Sequence, residues 1–340
     1  ITEGKLKAYT TIKPSDVYMI CVPTPIRKDN KIPSPDIDKI VSAANSIAVH
    51  IKKGDLVILE STSPVGTTEM IKKIFDGKGV DTSKIFIAYC PERVIPGNIM
   101  KELIENPRVI GGVNKQSTYQ ASEFYQTFVT GEILETEAKT AEMCKLVENG
   151  FRDVNIAFAN ELSLLCDKNG VNVWDLIKLA NHHPRVDILQ PGTGVGGHCV
   201  AVDPWFLVSE DASNAKLIKS SREINDSKPK WVAKKIIERA NAKGTKKIAC
   251  LGISFKPDID DLRDSPAKKV IDLLLEKGFE VSCVEPNIQE NKNYNLIDLK
   301  TALDESPLIA LLVKHKEFLT NETLKELKSK DTLDFCGVLQ

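Results

Sequence analysis

The stretch Val17-Tyr-Met-Ile-Cys-Val22 is a short apolar run, rich in β-branched residues, which Pro23-Thr-Pro25 ends. It predicts a buried strand that leads into a loop. Apolar residues at helical spacing follow over 36–51, and the apolar run 56–59 predicts the next strand. Because strands that alternate with helices pair in parallel, the stretch indicates an α/β fold with a doubly wound sheet.

The same alternation continues along the chain. Further strands are predicted at 85–89, 108–111 and 132–135, with helices ending at residue 75 and spanning 117–128. One long helical pattern fills 140–169, and a short helix is expected at 173–180. The helix expected at 215–242 contains Pro229, which must start a new segment or kink it. A second α/β unit follows, with strands at 247–253, 280–284, 308–313 and 332–335 and a helix at 267–276 that Ser265 caps.

Length and composition narrow the function. The 340 residues suit two or three domains, and 42% hydrophobic with 27% charged residues describes a soluble globular protein. The net charge of −1 gives no reason to expect nucleic acid or an anionic membrane, and no apolar run reaches the roughly 20 residues of a membrane span. The eight cysteines form no C-x-x-C pair, so a reducing cytoplasm is expected, without a disulfide scaffold or a structural zinc site.

A glycine-rich loop, Pro191-Gly-Thr-Gly-Val-Gly-Gly-His-Cys-Val-Ala-Val-Asp203, carries the clearest chemical signal. Its four glycines let a ligand approach the backbone and its N–H groups. Beside such donors the Cys199 thiol would ionise easily, and a thiolate is a nucleophile. On this loop alone, a nucleophile and a tight turn with a buried cysteine are equally good interpretations.

Polar residues follow three predicted strands, at Pro23-Thr24, Ser61-Thr62 and Pro91-Glu92. Ligands of α/β sheets sit at the carboxyl ends of strands, so these loops are expected to line one crevice. Taken separately, each of them could be an ordinary turn.

Cationic side chains mark two further places. Lys145, Asn149 and Arg152 lie at i, i+4 and i+7, on one face of the long predicted helix. A solvated stripe is the simpler explanation, but an amide between two cations is unusual in such a stripe. In the later α/β unit, Lys256 and Arg263 follow a strand end and are well placed for phosphate.

Six segments, in order, resemble the UDP-glucose/GDP-mannose dehydrogenase family, which oxidises the C6 alcohol of a nucleotide sugar with NAD. They are Cys21-Val-Pro-Thr-Pro25, Ser61-Thr-Ser-Pro-Val-Gly-Thr-Thr68, Pro91-Glu92, Lys145-Leu-Val-Glu-Asn149, Gly194-Val-Gly-Gly-His-Cys199 with Asp203, and Phe255-Lys-Pro257 through Arg263-Asp-Ser-Pro266. The resemblance implies two Rossmann-like doubly wound domains joined by a long central helix. We therefore expect a partial NAD-binding domain at 1–135, a central helical domain with the catalytic loop at 136–242, and a UDP-binding domain at 243–340.

The resemblance also implies the chemistry. Cys199 would attack the aldehyde, so that a thiohemiacetal and then a thioester form. Lys145 would act as acid and base near C6, and Asn149 would hold the sugar and the developing oxyanion.

The remaining roles follow from the same resemblance. Glu92 and Thr62 would position the hydrolytic water, and Asp203 would support the network of Lys145 and water. The residues expected to contact NAD are Thr24, Thr62 and Arg263. Those expected to line the UDP-sugar site, besides Lys145 and Asn149, are Arg93, Val94, Arg152, His183, Arg185, Gly196, Phe255 and Lys256. A homodimer built on the central helix is expected, because the arginine that matches Arg185 reaches across a dimer interface in some relatives.

The Gly-Gly-His-Cys loop resembles family members that act on N-acetyl sugars, with N-acetylmannosamine expected and N-acetylglucosamine as the alternative. No G-x-G-x-x-G turn precedes Val17, so we expect the first β-α-β segment to be missing and binding of UDP-sugar to exceed that of NAD. A family C-terminal arginine also has no clear counterpart.

Two other functions stay open. The first is a UDP-sugar-binding module without catalysis. The second is a zinc enzyme using His182, His183, His198 and Cys199, which the ligand spacing disfavours.

Overall fold

The computed structural model describes residues 6–27, 29, 31–94 and 97–340. The described chain falls into two compact units. The first contains the residues up to Glu148 together with Trp205–Asp211, and the second contains Asn149–Pro204 and Ala212–Gln340. Each unit holds a sheet of five described strands, which agrees with the doubly wound α/β fold expected from the sequence. No described helix has the length and apolar character needed to span a bilayer.

The first unit alternates strands and helices. Its elements are β1 (Val17–Ile20), β2 (Ile26–Arg27), β3 (Ser34–Pro35), α1 (Asp38–Ala48), β4 (Leu56–Leu59), α2 (Thr67–Gly77), β5 (Phe86–Tyr89), α3 (Ile99–Glu105), β6 (Arg108–Gly112), α4 (Lys115–Gln126) and β7 (Ile133–Glu137). The sheet order is β1-β4-β5-β6-β7, and β2 pairs with β3 separately. The 32-residue helix α5 (Ala138–Asn169) then continues into the second unit.

Successive side chains of the central strands alternate between two cores. Val57 and Ile87 pack with α1 and α2, whereas Ile58 and Ala88 pack with α4 on the opposite face. Because helices cover both faces of the sheet, these central strands are apolar throughout and do not alternate between apolar and polar side chains.

The expectation of parallel pairing throughout is wrong at one place. β6 pairs antiparallel with β5, through Ala88 with Gly112 and Tyr89 with Gly111, while the other pairs of this five-stranded sheet are parallel. Among its described residues, the connection between β5 and β6 contains one helix, the seven-residue α3. It returns to the sheet at the end where β5 stopped, so β6 runs in the opposite direction.

The second unit contains α6 (Val173–Ala180), α7 (Asp203–Glu210, which continues into the first unit), α8 (Lys216–Lys243), β8 (Lys247–Leu251), α9 (Pro266–Glu276), β9 (Glu280–Val284), β10 (Asn295–Leu296), α10 (Leu299–Glu305), β11 (Leu308–Leu311), α11 (Asn321–Ser329) and β12 (Thr332–Asp334). Its sheet is parallel, in the order β10-β9-β8-β11-β12. As predicted, Ser265 caps α9: its hydroxyl accepts the Lys268 N–H at 3.3 Å.

Helix α8 continues through Pro229 without starting a new segment, contrary to one of the two expectations for this residue. A proline inside a helix costs about 3 kcal/mol, because one hydrogen bond is lost and the ring meets the preceding turn. Val232, Ala233 and Ile236 on the same helix are buried in the core against α9, and burying side chains of this kind offsets such a cost.

Candidate active site

In the first unit, the loops after β1 and β4 meet. The Thr24 hydroxyl donates to the Thr62 carbonyl at 2.6 Å, which brings together two of the residues expected to contact NAD. Their strands are neighbours in the sheet, so the two loops emerge at adjacent carboxyl ends.

Glu92, after β5, is held through both of its carboxylate oxygens. Oε1 accepts the N–H groups of Arg93 at 2.6 Å and Val94 at 2.9 Å, and Oε2 lies 3.3 Å from Nη1 of Arg108. The Lys145 ammonium donates to the Glu92 backbone carbonyl at 2.8 Å. The predicted acid/base lysine and the predicted water-positioning carboxylate therefore belong to one hydrogen-bonded group.

Arg108 belongs to this group, and the sequence reasoning missed it. It begins β6 and is almost fully buried, with its side chain 2% exposed. The antiparallel direction of β6 places its first residue beside the carboxyl end of β5, where Glu92 lies. An arginine at the start of an otherwise apolar strand was the available signal. Arg93 instead contacts Glu148, with 2.6 Å between Nη2 and Oε1.

A helix N-terminus is where a dinucleotide pyrophosphate commonly binds. At the start of α2 this place holds a carboxylate. Glu142 accepts the Gly66 N–H at 2.5 Å and the Thr68 N–H at 2.7 Å, and its burial raises its pKa above the ordinary value. The N–H groups of Gly66 and Thr68 are therefore already engaged by Glu142, and among the described residues of this unit Thr24 and Thr62 remain the ones expected to contact NAD.

In the second unit, Asn149 on α5 and Asp203 at the start of α7 are joined by a hydrogen bond of 2.6 Å between Nδ2 and Oδ2. Both side chains are buried. The Cys199 carbonyl accepts the N–H groups of Val202 at 3.0 Å and Asp203 at 2.8 Å, and the Cys199 residue is exposed. The turn that carries the thiol is thus tied directly to the buried Asn149–Asp203 pair.

The glycines before Cys199 are required by their neighbours. A Cβ on Gly197 would lie 2.7 Å from the Phe255 ring, and one on Gly196 would lie 2.7 Å from the Asp264 carbonyl oxygen. Gly197 also has a φ of +82°, which side chains disfavour. The Phe255 segment therefore packs directly against the backbone of the glycine loop.

Two of the predicted cations lie on the connection after β8. The Arg263 guanidinium donates to the Asp261 carboxylate, with 2.7 Å between Nη2 and Oδ2, and this hydrogen bond lowers the pKa of Asp261. His198 approaches the same carboxylate at 3.9 Å. Lys256 is exposed on this connection.

The remaining substrate candidates of this unit, Arg152, His183 and Arg185, are exposed. The Arg185 N–H donates to Nδ1 of His183 at 3.3 Å.

The described residues contain one group with the spacing of metal ligands, Asp258, His315 and Glu317, whose ligand atoms lie within 4.8 Å of one another. Nδ1 of His315 already accepts the Asp258 N–H at 3.0 Å, so its lone pair is engaged. None of the residues named in the zinc hypothesis belongs to this group.

Three family models match the chain in succession. They are the NAD binding domain of the UDP-glucose/GDP-mannose dehydrogenase family over 1–129, its central domain over 139–227 and its UDP binding domain over 249–340.

The chain is 51% identical over 353 residues to a UDP-N-acetyl-D-mannosamine dehydrogenase of Campylobacter jejuni, covering 99% of this chain and 85% of that protein. It is 46% identical to an NDP-N-acetyl-D-galactosaminuronic acid dehydrogenase of Ralstonia nicotianae, covering 99% of this chain and 82% of that protein. Among solved structures, a UDP-N-acetyl-mannosamine dehydrogenase of Staphylococcus aureus superposes with a TM-score of 0.88 at 41% identity, covering 100% of this chain and 81% of that one.

Proposed function

Because the chain belongs to the UDP-glucose/GDP-mannose dehydrogenase family of NAD-dependent enzymes, we propose that it oxidises the C6 alcohol of UDP-N-acetyl-D-mannosamine to the carboxylate. The sugar is supported by the relatives named for it in Campylobacter and Staphylococcus. The observation that carries the chemistry is the buried hydrogen bond between Asn149 and Asp203, beside the turn of the exposed Cys199.

NAD supplies the hydride acceptor for both oxidations, and Thr24, Thr62 and Arg263 are the residues we assign to hold it. In its neutral amine form, Lys145 takes the proton of the C6 hydroxyl as the aldehyde forms and becomes an ammonium, and Asn149 donates to the developing oxyanion.

In the second oxidation, Cys199 is the nucleophile. Its thiolate adds to the aldehyde carbon, and the thiohemiacetal becomes a thioester when its C6 hydride leaves. Water, positioned by Glu92 and Thr62, then adds to the thioester carbon. The C–S bond breaks, and the acid and the thiol are released while Asp203 supports the proton network.

We assign the binding of the nucleotide sugar to Arg93, Val94, Lys145, Asn149, Arg152, His183, Arg185, Gly196, Phe255 and Lys256. The three-domain division at residues 135 and 242 remains our proposal.

We further propose a homodimer through α5. Phe151, Phe158 and Leu165 follow one another at intervals of seven residues on this helix and are 71%, 51% and 54% exposed. Residues at this spacing share one helix face, and an exposed apolar face indicates an interface. A reducing cytoplasm is the proposed compartment, in keeping with eight cysteines of which none is in a disulfide.

The experiment supplies the complete protein with NAD and UDP-N-acetyl-D-mannosamine and follows NADH together with the sugar product. The wild type is expected to form two NADH per acid, and Cys199→Ala is expected to stall before the acid. Cys166→Ala, which removes a buried thiol of the same unit, is the control. Acid formed at the normal rate by Cys199→Ala would exclude Cys199 as the nucleophile.

The two alternatives give different results in the same assay. A UDP-N-acetylglucosamine 6-dehydrogenase would turn over that sugar in preference to N-acetylmannosamine. A UDP-sugar-binding module would be stabilised by the UDP-sugar in a thermal-shift measurement, but would not be stabilised by NAD and would form no NADH.

A further inference from the structure

Two buried side chains lie at the carboxyl edge of the second sheet, Glu285 after β9 and His315 after β11. Both are 0% exposed, and Nε2 of His315 lies 3.2 Å from Oε2 of Glu285. β8 lies between these two strands in the sheet. In an α/β sheet this edge is the usual ligand crevice, yet here the acid and the imidazole face each other across it.

Glu285 fixes the beginning of the segment that follows β8. Its Oε2 also accepts the N–H groups of Ile253 at 2.8 Å and Ser254 at 3.0 Å. Burial alone would raise the pKa of Glu285. The hydrogen bonds from His315 and these amides outweigh burial and hold the pKa below its ordinary value. The carboxylate is therefore a stable anchor for three donors.

His315 fixes the end of the same segment. Its Nδ1 accepts the backbone N–H of Asp258 at 3.0 Å, so the ring proton must reside on Nε2, which faces Glu285. Asp258 has a φ of +61°, a conformation that persists only when its surroundings impose it. Its carboxylate accepts the Lys316 N–H at 3.0 Å, which adds a second tie to the chain after His315.

Buried side chains therefore hold this segment at both of its ends, and the residues between them are Phe255, Lys256 and Pro257. The Phe255 side chain in turn packs against Gly196 and Gly197, three and two residues before Cys199. Contacts therefore run from the Glu285–His315 pair through Phe255 to the glycine loop.

We propose that Glu285 and His315 are positioning residues. They hold Phe255 in place, and Phe255 in turn positions the loop that carries Cys199. The inference rests on the proposed function, because it takes Cys199 as the nucleophile of the second oxidation. Neither residue needs to touch the substrate. Displacement of a reacting group by about 1 Å can cost roughly 100-fold in rate, so a loosened support should act on the thiol step above all.

Two substitutions of His315 separate its two contacts. In His315→Gln the amide nitrogen can still donate to Glu285, but the Asp258 N–H loses its acceptor. In His315→Asn the amide oxygen can accept from Asp258, while the contact with Glu285 is lost. His50→Gln, in the first unit, is the control for a histidine outside this group.

The first measurement is amide hydrogen exchange in peptides that cover residues 194–199 and 254–258. We expect exchange about tenfold faster in His315→Gln than in the wild type, and less than about threefold faster in His315→Asn. Wild-type exchange of both peptides in His315→Gln would overturn the proposal. This measurement needs no turnover, so it stands even if the proposed dehydrogenase activity is not found.

The second measurement separates the two oxidations in a single turnover. At saturating UDP-sugar, His315→Gln should form the first NADH at the wild-type rate and the acid about tenfold more slowly, with aldehyde accumulating. An equal loss in both steps would instead indicate a general structural role. Ser254→Ala, which removes the Oγ bond to the Lys256 carbonyl, is a milder variant for the case that His315→Gln does not fold. In Ser254→Ala the first NADH should form at the wild-type rate and the acid about threefold more slowly. Equal effects on both steps in this variant would also overturn the proposal.

Discussion

At the scale of single residues, Gly197 is constrained both by its backbone and by its neighbour. Gly170 shares the first constraint alone, since its φ is +66° and a Cβ there would meet nothing within 4 Å. Gly170→Ala should cost about 1 kcal/mol of unfolding free energy through backbone strain. Gly197→Ala should cost about 2–4 kcal/mol, because the Phe255 ring must also move. Urea unfolding measures both, and equal losses would contradict the packing of Phe255 against Gly197.

Lys228 makes the stability depend on pH. The residue is 3% exposed. Its ammonium donates to the Ser163 hydroxyl and lies 4.4 Å from the centre of the Trp231 ring. Burial lowers its pKa to about 7, against an ordinary value of 10.5, although the Asp167 carboxylate opposes the shift. Between about pH 7 and 10.5 the unfolded chain therefore binds more protons at this site than the folded chain, and stability rises with pH.

We expect Lys228 to contribute up to about 1.4 kcal/mol of unfolding free energy per pH unit above pH 7. Lys228→Met should remove that contribution from urea-unfolding curves recorded between pH 7 and 9. Lys230→Met changes an exposed lysine of the same helix and should leave the slope as in the wild type. An unchanged slope in Lys228→Met would show that another group titrates.

At the scale of elements, a buried ion pair joins α5 to α8. Nη1 of Arg222 lies 2.6 Å from Oδ1 of Asp153, and the side chains are 1% and 0% exposed. Asn225 donates to the same carboxylate oxygen at 2.8 Å. Even so, burial dominates and raises the pKa of Asp153. Arg222→Met should cost about 3–5 kcal/mol, because it leaves a buried carboxylate without its cation.

The double variant Asp153→Asn/Arg222→Met should recover part of that loss, since no charge is then left buried. Arg239→Met, which breaks an exposed pair with Asp331, is the matched control and should cost less than about 1 kcal/mol. Unfolding free energies from denaturant titration decide the comparison. A double variant as unstable as Arg222→Met alone would mean that lost packing, and not the unpaired charge, is responsible.

The sequence predicted elements well wherever the pattern is local. The strand Leu56–Leu59 and the helix Val173–Ala180 have the expected bounds, because apolar periodicity and end signals determine them. Strand direction is not encoded in a short apolar run, so the reversal of β6 was missed. Arg108 was missed as a consequence of that reversal, which brings it to Glu92.

Within the candidate site, the family resemblance supplied residues but not their partners. The hydrogen bond between Asn149 and Asp203 spans 54 positions of the chain, and no local pattern indicates it. The same holds for Phe255 against Gly197, since a glycine near a cysteine shows that space is needed but not which ring occupies it. Long-range contacts of this kind depend on tertiary packing, which propensity and periodicity do not describe.

At the scale of the whole molecule, the exposed apolar face of α5 predicts the assembly. In a two-fold dimer the same patch occurs on both subunits, so a single substitution acts twice. Phe158→Glu would place two carboxylates in this apolar contact, and we expect it to weaken dimerisation by at least about 100-fold. Val49→Glu, at an exposed apolar position that follows α1, is the control and should leave the dimer intact.

Sedimentation-velocity ultracentrifugation distinguishes the two species. The wild type and Val49→Glu should sediment as dimers at micromolar concentration. Phe158→Glu should sediment as a folded monomer, with a lower melting temperature because the stabilisation that comes from dimerisation is lost. If Arg185 reaches the neighbouring subunit's site, the monomer should also bind the UDP-sugar more weakly, while each unit keeps its own fold. A Phe158→Glu variant that still sediments as the dimer would place the interface elsewhere on the chain and leave the apolar face of α5 to another partner.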